Sequence, residues 1–546
     1  MRNLSSHLRI VVVAAITLAA SHASATPRRP VAATQEGLVR GIHTDGIDRY
    51  LGIPYAAAPI GDLRWRPPEP HERWHGVRDA SAFAGHCAQR PSPFGLASVS
   101  EDCLYLNVFA PARGDDDRAC RGHDERQSRD SCPLDVEGED DDDELLPVMV
   151  WIHGGALLVG ESDDYDPVRL VRRGVLVVTL NYRLGVFGFL AHPTLTAESP
   201  DHASGNYGLM DQQAALRWVQ RNIARFGGDP RRVTIFGESA GGLSVHSHLA
   251  SPGSAGLFHR AIVESGAYAL NQPPLALAEA QGTAVAAAAG CADQTASCLR
   301  AAPVDKLLEA LTVATVVPDV DGKVLPQTIQ AAFTSGSFNR VPVIEGSNHD
   351  EWRLFVALNI DLVSGPLTPG QYVGAIAATL GVPLATAAAL ASLYPLAAYP
   401  SPDLALSALG TDAIFACNSR KAARLLSQYV PMHAYEFSDE DAPQLFLPPV
   451  SFPYGSAHAS EIQYLFNLRS QIPHPDLTPD QERLSRAMVS YWTNFARMGD
   501  PNWLGTPFWP TYDRTGDQLQ SFAPPTPAVE PAFAADHKCA VWAPVP

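Results

Sequence analysis

The sequence predicts an α/β protein with a mostly parallel central sheet flanked by helices. Three observations predict it. Short apolar runs without alternation recur along the chain, as strands buried on both faces should. Helical stretches separate these runs, the alternation that a parallel sheet requires. One run ends in a glycine-flanked serine that leads straight into a helix. Hydrophobic residues make up 46% of the 546 and charged residues 18%, which suits a large packed core. Large α/β proteins with long loops often remain one domain, so residues 26–546 are expected to form a single one.

The elements follow in order. Residues 1–25 carry Arg2 and Arg9, an apolar run at 10–20 and then Ala23-Ser24-Ala25, the pattern of a bacterial-style secretory signal cleaved after Ala25. That run is about half of the roughly 20 residues a bilayer span needs. No other stretch is long and apolar enough to cross, and residues 541–546 carry neither a lipidation box nor a hydrophobic tail. A secreted product, extracellular or periplasmic and without a membrane anchor, is expected. Eight cysteines fit an oxidising compartment. Sequence order allows many pairings; local spacing favours Cys120 with Cys132, Cys291 with Cys298 and Cys87 with Cys103, which leaves Cys417 with Cys539. None has the spacing of a zinc site.

The net charge is −18, and the segment 112–144, with 14 acidic and 5 basic residues, contributes half of it. It is almost devoid of apolar residues, so an acidic, mobile insert spanning about 112–146 is expected. Its carboxylate spacing lacks the glycine and terminal glutamate of an EF-hand loop. Nucleic acid is not an expected partner for so acidic a chain. Strand-like sequence flanks the insert at 103–109 and 146–152, which reads as two neighbouring strands with the insert at their connection. Further strands are expected at 175–180, 233–236, 260–263 and 341–344. Apolar positions at mostly helical spacing predict a helix over 210–226, stopped by Gly227-Gly228-Asp229-Pro230. Alanine-rich helical sequence at 275–311 and 370–406 suits a cap over the sheet.

The chemistry begins at Gly237-Glu238-Ser239-Ala240-Gly241-Gly242. The strand 233–236 runs into it and an apolar helical stretch follows, the strand, turn and helix that a Gly-x-Ser-x-Gly elbow requires. Small neighbours let the turn project the Ser239 hydroxyl, while the helix aims its first amides at a developing oxyanion. His153-Gly154-Gly155-Ala156 follows the strand at 148–152, where glycine backbones can present free N–H groups; with the amide of Ala240 these form a candidate oxyanion hole. Ser239 needs a base and an orienting acid, in the chain order nucleophile, acid, base. For the acid, Asp350 and Glu351 stand in Gly346-Ser347-Asn348-His349-Asp350-Glu351-Trp352, beyond the strand at 341–344. For the base, His458 sits in a turn at 455–461, His433 in a strand-like run, and His474 between prolines.

Several ordered motifs together resemble the type-B carboxylesterase family, which includes cholinesterases and bacterial para-nitrobenzyl esterases. They are Glu101-Asp102-Cys103-Leu104-Tyr105-Leu106-Asn107, Trp151-Ile152-His153-Gly154-Gly155, Asn181-Tyr182-Arg183-Leu184, Gly205 to Asp211, and Gly237 to Gly242. The likeness spans about residues 35 to 540. It implies an α/β-hydrolase fold with helical cap insertions and a serine carboxylesterase activity on small-molecule esters, with no cofactor and no metal. Position by position, it implies Ser239 as nucleophile, Glu351 rather than Asp350 as acid, and His458 as base. Gly154, Gly155 and Ala240 fall at the oxyanion positions, and Glu238 and Ser265 at supporting polar positions. The resemblance also implies the disulfides Cys87–Cys103, Cys291–Cys298 and Cys417–Cys539.

Two departures bear on substrates. The segment between Cys87 and Cys103 holds no tryptophan to face a quaternary ammonium, so choline esters are not expected. Trp352 stands where the family often has glycine after the acid. Because some relatives on this fold have lost the nucleophile and act as binding or adhesion modules, a non-catalytic role is the rival from another class, and lipase or amidase chemistry the neighbouring one. The intact set Ser239, Glu351 and His458 favours ester hydrolysis.

Overall fold

A computed structural model describes residues 29–112, 145–311, 316–469 and 472–542. The expected signal segment and most of the acidic insert, with Cys120 and Cys132, lie outside the described residues.

The main sheet has eleven strands: β1 (Ile42–Thr44), β2 (Ile47–Pro54), β3 (Tyr105–Pro111), β4 (Leu146–Ile152), β5 (Leu176–Leu180), β6 (Gly228–Glu238), β7 (Arg260–Glu264), β8 (Val343–Asn348), β9 (Met432–Phe437), β10 (Leu519–Phe522) and β11 (Ala528–Glu530). Their spatial order is β1-β2-β3-β5-β4-β6-β7-β8-β9-β10-β11. From β5 through β10 every neighbouring pair is parallel, while β1, β2, β3 and β11 extend the sheet antiparallel at its edges. The carbonyl ends of β6, β7 and β8 therefore share one edge of the sheet, where ligand sites of open α/β folds collect.

The central strands are apolar because both faces are covered. Along β4, Val148, Val150 and Ile152 enter one core, whereas Met149 and Trp151 enter the other, on the opposite face. The expectation that the strands flanking the acidic insert are neighbours is corrected: β5 lies between β3 and β4, antiparallel to the first and parallel to the second. Strands apolar on both faces have interchangeable patterns, so nearness in sequence does not choose the partner. The strand expected at 341–344 continues to Asn348, which moves the start of the acid-bearing loop.

Four helices matter for the site: α1 (Tyr207–Asn222), α2 (Ala240–Ala250), α3 (Cys417–Leu426) and α4 (Pro479–Met498). All eleven residues of α2 are buried, so it lies within the core rather than on a surface. α4 starts with a capping box between Thr478 and Gln481 and sends Trp492 inward, where its indole N–H donates to Glu264 at 2.8 Å. The alanine-rich segments fold as helices, among them Leu275–Ala288, Tyr372–Leu380 and Leu384–Leu393. Among the described residues no single helix is long and apolar enough to cross a membrane. Disulfides join Cys87 to Cys103, Cys291 to Cys298 and Cys417 to Cys539.

Candidate active site

Ser239 stands between the end of β6 and the first residue of α2, with φ +55° and ψ −117°. A positive φ is strained for a residue with a side chain, and such strain persists only where the surroundings hold it. Here they do. The Ser239 N–H donates to the carbonyl of Glu264 at 2.8 Å, and the Ser239 carbonyl accepts from Leu243. A Cβ on Gly241 would lie 1.9 Å from the carbonyl oxygen of Ile152, so only glycine lets β4 and the turn approach this closely. On the adjacent strand, Ser265 follows β7 with φ +53° and donates its N–H to Gly346.

Glu351 and His458 come together from loops 107 positions apart in the chain. The imidazole Nδ1 of His458 donates to Glu351 Oε2 at 2.5 Å. The other carboxylate oxygen accepts from the Ser265 hydroxyl at 2.5 Å and from the Asn348 amide at 2.8 Å. Three donors thus fix a carboxylate that is fully buried. The sequence left two acids open; the geometry separates them. Asp350 pairs with Arg353 at 2.8 Å and accepts from the Ser456 amide, which ties the acid-bearing loop to the turn that carries His458. The other histidines lie elsewhere: His433 is buried against Trp509, and His474 is in an exposed segment.

The charge around His458 is unusual. Its Nε2 lies 3.1 Å from Glu238 Oε1, without the alignment of a hydrogen bond. Burial works against the imidazolium, yet the carboxylates of Glu238 and Glu351 outweigh it and hold the pKa up at about 9. Burial raises Glu238 well above the usual carboxylate range, opposed by His458 and reinforced by Glu461 and Glu351. Glu461 is pushed up to about 7 by burial and then by Glu351, and Glu264 to about 8 by burial and then by Glu461. Asn348 bridges this cluster, since its side-chain amide donates to Glu461 at 2.6 Å while its backbone N–H holds Glu351. Asn348 and Glu461 were not singled out from the sequence, although both lie inside the motifs that carry the acid and the base.

These groups face a cleft lined by Gly154, Gly155, Ala156, Glu238, Ser239 and His458, with apolar walls that include Phe94, Phe355 and Phe446. Phe355 and Phe415 pack on the His458 ring at 5.1 and 4.9 Å. A Cβ on Gly154 would meet Glu238 Oε2 at 2.7 Å and the Cβ of Ser239 at 3.2 Å, which places this backbone against the elbow. Gly155, Ala156 and Leu157 all have positive φ, so the chain turns its amides in succession as in anion-binding nests. Ala156 thereby joins Gly154 and Gly155 as a candidate donor that the sequence reading did not single out. Ala240 opens α2, whose first amides have no partner within the helix.

A model described as the Carboxylesterase family matches residues 28–542. An acylcarnitine hydrolase of Mus musculus is 36% identical, covering 90% of this chain and 87% of the relative. A cocaine esterase of Homo sapiens is 34% identical over 94% of this chain and 91% of its own length. The para-nitrobenzyl esterase of Bacillus subtilis (strain 168) is 34% identical over 88% and 92%, respectively. Matched by that family over residues 28–542 and built on its α/β-hydrolase fold, the chain belongs to the carboxylesterase family and is a carboxylic ester hydrolase.

Proposed function

We propose that the protein hydrolyses small-molecule carboxylic esters by two-step acyl transfer at Ser239. The single observation behind this reading is the placement of His458, whose Nδ1 is held by Glu351 at 2.5 Å while its ring borders the cleft that Ser239 also lines. In the first step the Ser239 oxygen attacks the ester carbonyl carbon and its proton passes to His458 Nε2. The carbonyl electron pair moves onto an oxyanion, for which the amides of Gly154, Gly155, Ala156 and Ala240 are the donors. Each donor of this kind contributes about 3 kcal/mol in the transition state. Collapse breaks the alkoxy C–O bond, and imidazolium returns the proton to the departing alcohol. Water then attacks the acyl-enzyme in the same way, releasing the acid and restoring Ser239. Glu351 keeps the ring oriented and stabilises its cation; Ser265 and Asn348 hold Glu351; Glu238 sets the basicity of His458.

The chain is further read as one domain exported in the manner of a bacterial secretory protein. The signal-like segment 1–25 and the three disulfides support export. Replacing Ser239 by Ala tests the catalytic assignment. Hydrolysis of a short p-nitrophenyl ester and labelling by a fluorophosphonate are both expected to vanish while the circular dichroism spectrum is retained; turnover that survives the substitution refutes it.

A further inference from the structure

The cleft holds two charged groups that the mechanism does not use. Beside Glu238, Ser239 and His458, its charged lining consists of Asp164 and Arg469. Arg469 is committed to the protein, with Nη1 3.4 Å from Asp163 Oδ2 and its backbone N–H donating to the carbonyl of Asp164. The other acids of this segment are also engaged: Asp163 lies 2.9 Å from His86 Nε2, and Glu161 accepts from Gln89 and from the Leu96 amide. The carboxylate of Asp164, by contrast, receives no hydrogen bond among the described residues.

We propose that Asp164 recognises a protonated amine on the ester, so that the cleft prefers substrates bearing an N–H ammonium away from the scissile carbonyl over neutral esters of the same shape. This rests on the acyl-transfer reading at Ser239. The position of Asp164 suits the role. Asp164 and its neighbour Tyr165 line the same cleft as Glu238 and Ser239. Glu238 directly precedes the nucleophile. An ester seated at Ser239 therefore shares its cleft with Asp164, and the walls of that cleft include Phe94, Phe446 and Leu468. Burial, then Glu161 and Asp163, lift the Asp164 carboxyl to about 7 against the opposing pull of Arg469 and His86, so the nearby cations do not offset its burial. An ammonium that donates to it adds an opposite charge and a charge-assisted hydrogen bond at the carboxylate itself.

The test compares kcat/KM for two pairs of esters, one with an ω-amino or an isosteric ω-methyl acyl chain, the other with an ω-amino or a neutral alcohol. The expected result is a preference for the ammonium member of at least one pair by about tenfold or more, and a fall of that ratio by about tenfold in Asp164→Asn. A ratio near one in both pairs, or a ratio unchanged by the substitution, overturns the proposal. Hexylammonium should also inhibit hydrolysis of p-nitrophenyl butyrate by the unmodified protein more strongly than hexanol does; equal inhibition again overturns it. Failure of the acyl-transfer reading is distinct, because it would abolish turnover of every ester and fluorophosphonate labelling of Ser239.

Discussion

The Nε2 atom of His458 lies 3.1 Å from Glu238 Oε1, the carboxylate of the residue before Ser239. A general base must be neutral, so kcat/KM should rise with pH through the pKa of His458, which its carboxylate neighbours hold up at about 9. Glu238→Gln removes a facing negative charge and makes the imidazolium easier to deprotonate. The acidic limb of the pH–rate profile should move to lower pH by about one unit. A limb that stays in place would remove Glu238 from this role.

Glu351 and Ser265 should differ greatly in cost. Glu351→Gln keeps the shape but loses the charge that orients and stabilises the His458 cation, and kcat is expected to fall by about 10³ to 10⁴. Ser265→Ala removes one of the three donors to Glu351 and leaves the Asn348 amide and the imidazole in place. Its expected loss in kcat is about tenfold. Steady-state kinetics on one p-nitrophenyl ester decide the order, and equal losses would count against the hierarchy.

Gly154→Ala probes the contact between the glycine loop and the elbow. The new methyl would enter within 2.7 Å of Glu238 Oε2 and 3.2 Å of the Ser239 Cβ. Displacement of the oxyanion donors should lower kcat by about 10² with a small change in KM, since a lost donor acts on the transition state. Wild-type kcat in this variant would exclude Gly154 from the site.

The Cys417–Cys539 disulfide joins α3 to the C-terminal segment across 122 positions. Closing so long a loop stabilises by roughly 4 to 5 kcal/mol in the chain-entropy account. The Cys417→Ser/Cys539→Ser double variant is expected to melt several degrees lower by calorimetry, with its fluorophosphonate labelling retained at 25 °C. An unchanged melting temperature would contradict this.

Thermal stability should also depend on pH. Glu461 and Glu264 are raised to about 7 and 8, mainly by burial, and their stabilising contribution is present below the ordinary carboxylate range and lost as pH rises through these values. His458 and His537 are raised to about 9 and 10 despite burial, His537 by its bonds to Asp412 and Glu436, and their contributions are lost above the ordinary histidine range. Burial lowers His153, His248 and His433 to about 4, 3 and 4, so stability falls as acid protonates the unfolded chain preferentially. The melting temperature is expected to be highest near about pH 5 to 6.5 and to decline steadily towards pH 10. A maximum above pH 8 would contradict these protonation states.

Much of the site was legible because its chemistry is local. Ser239 needs small neighbours, a preceding strand and a following helix, and those demands are written in consecutive residues. The same holds for Gly154 and Gly155 after β4. Asp350 and Glu351 were not separable by residue type or spacing, and the family resemblance, not the pattern, favoured Glu351. The structure distinguishes them by partners: Arg353 takes one and His458 the other. Strand order was legible only in part, because β3, β4 and β5 carry the same doubly buried pattern, and the strands at and next to the two edges, β1, β2, β10 and β11, were not anticipated at all.

The sequence by itself determined the α/β class, the elbow at Ser239 and the residues from which the site is assembled, since backbone conformation and hydrophobic periodicity are properties of neighbouring residues. Only the tertiary structure decided that Glu238, Glu264, Glu351 and Glu461 form one buried cluster around His458, and that Asp164 lines the same cleft as Ser239. The reason is physical: the cost of a buried charge depends on distance to other charges and to water, and residues hundreds of positions apart acquire that distance only when the chain folds.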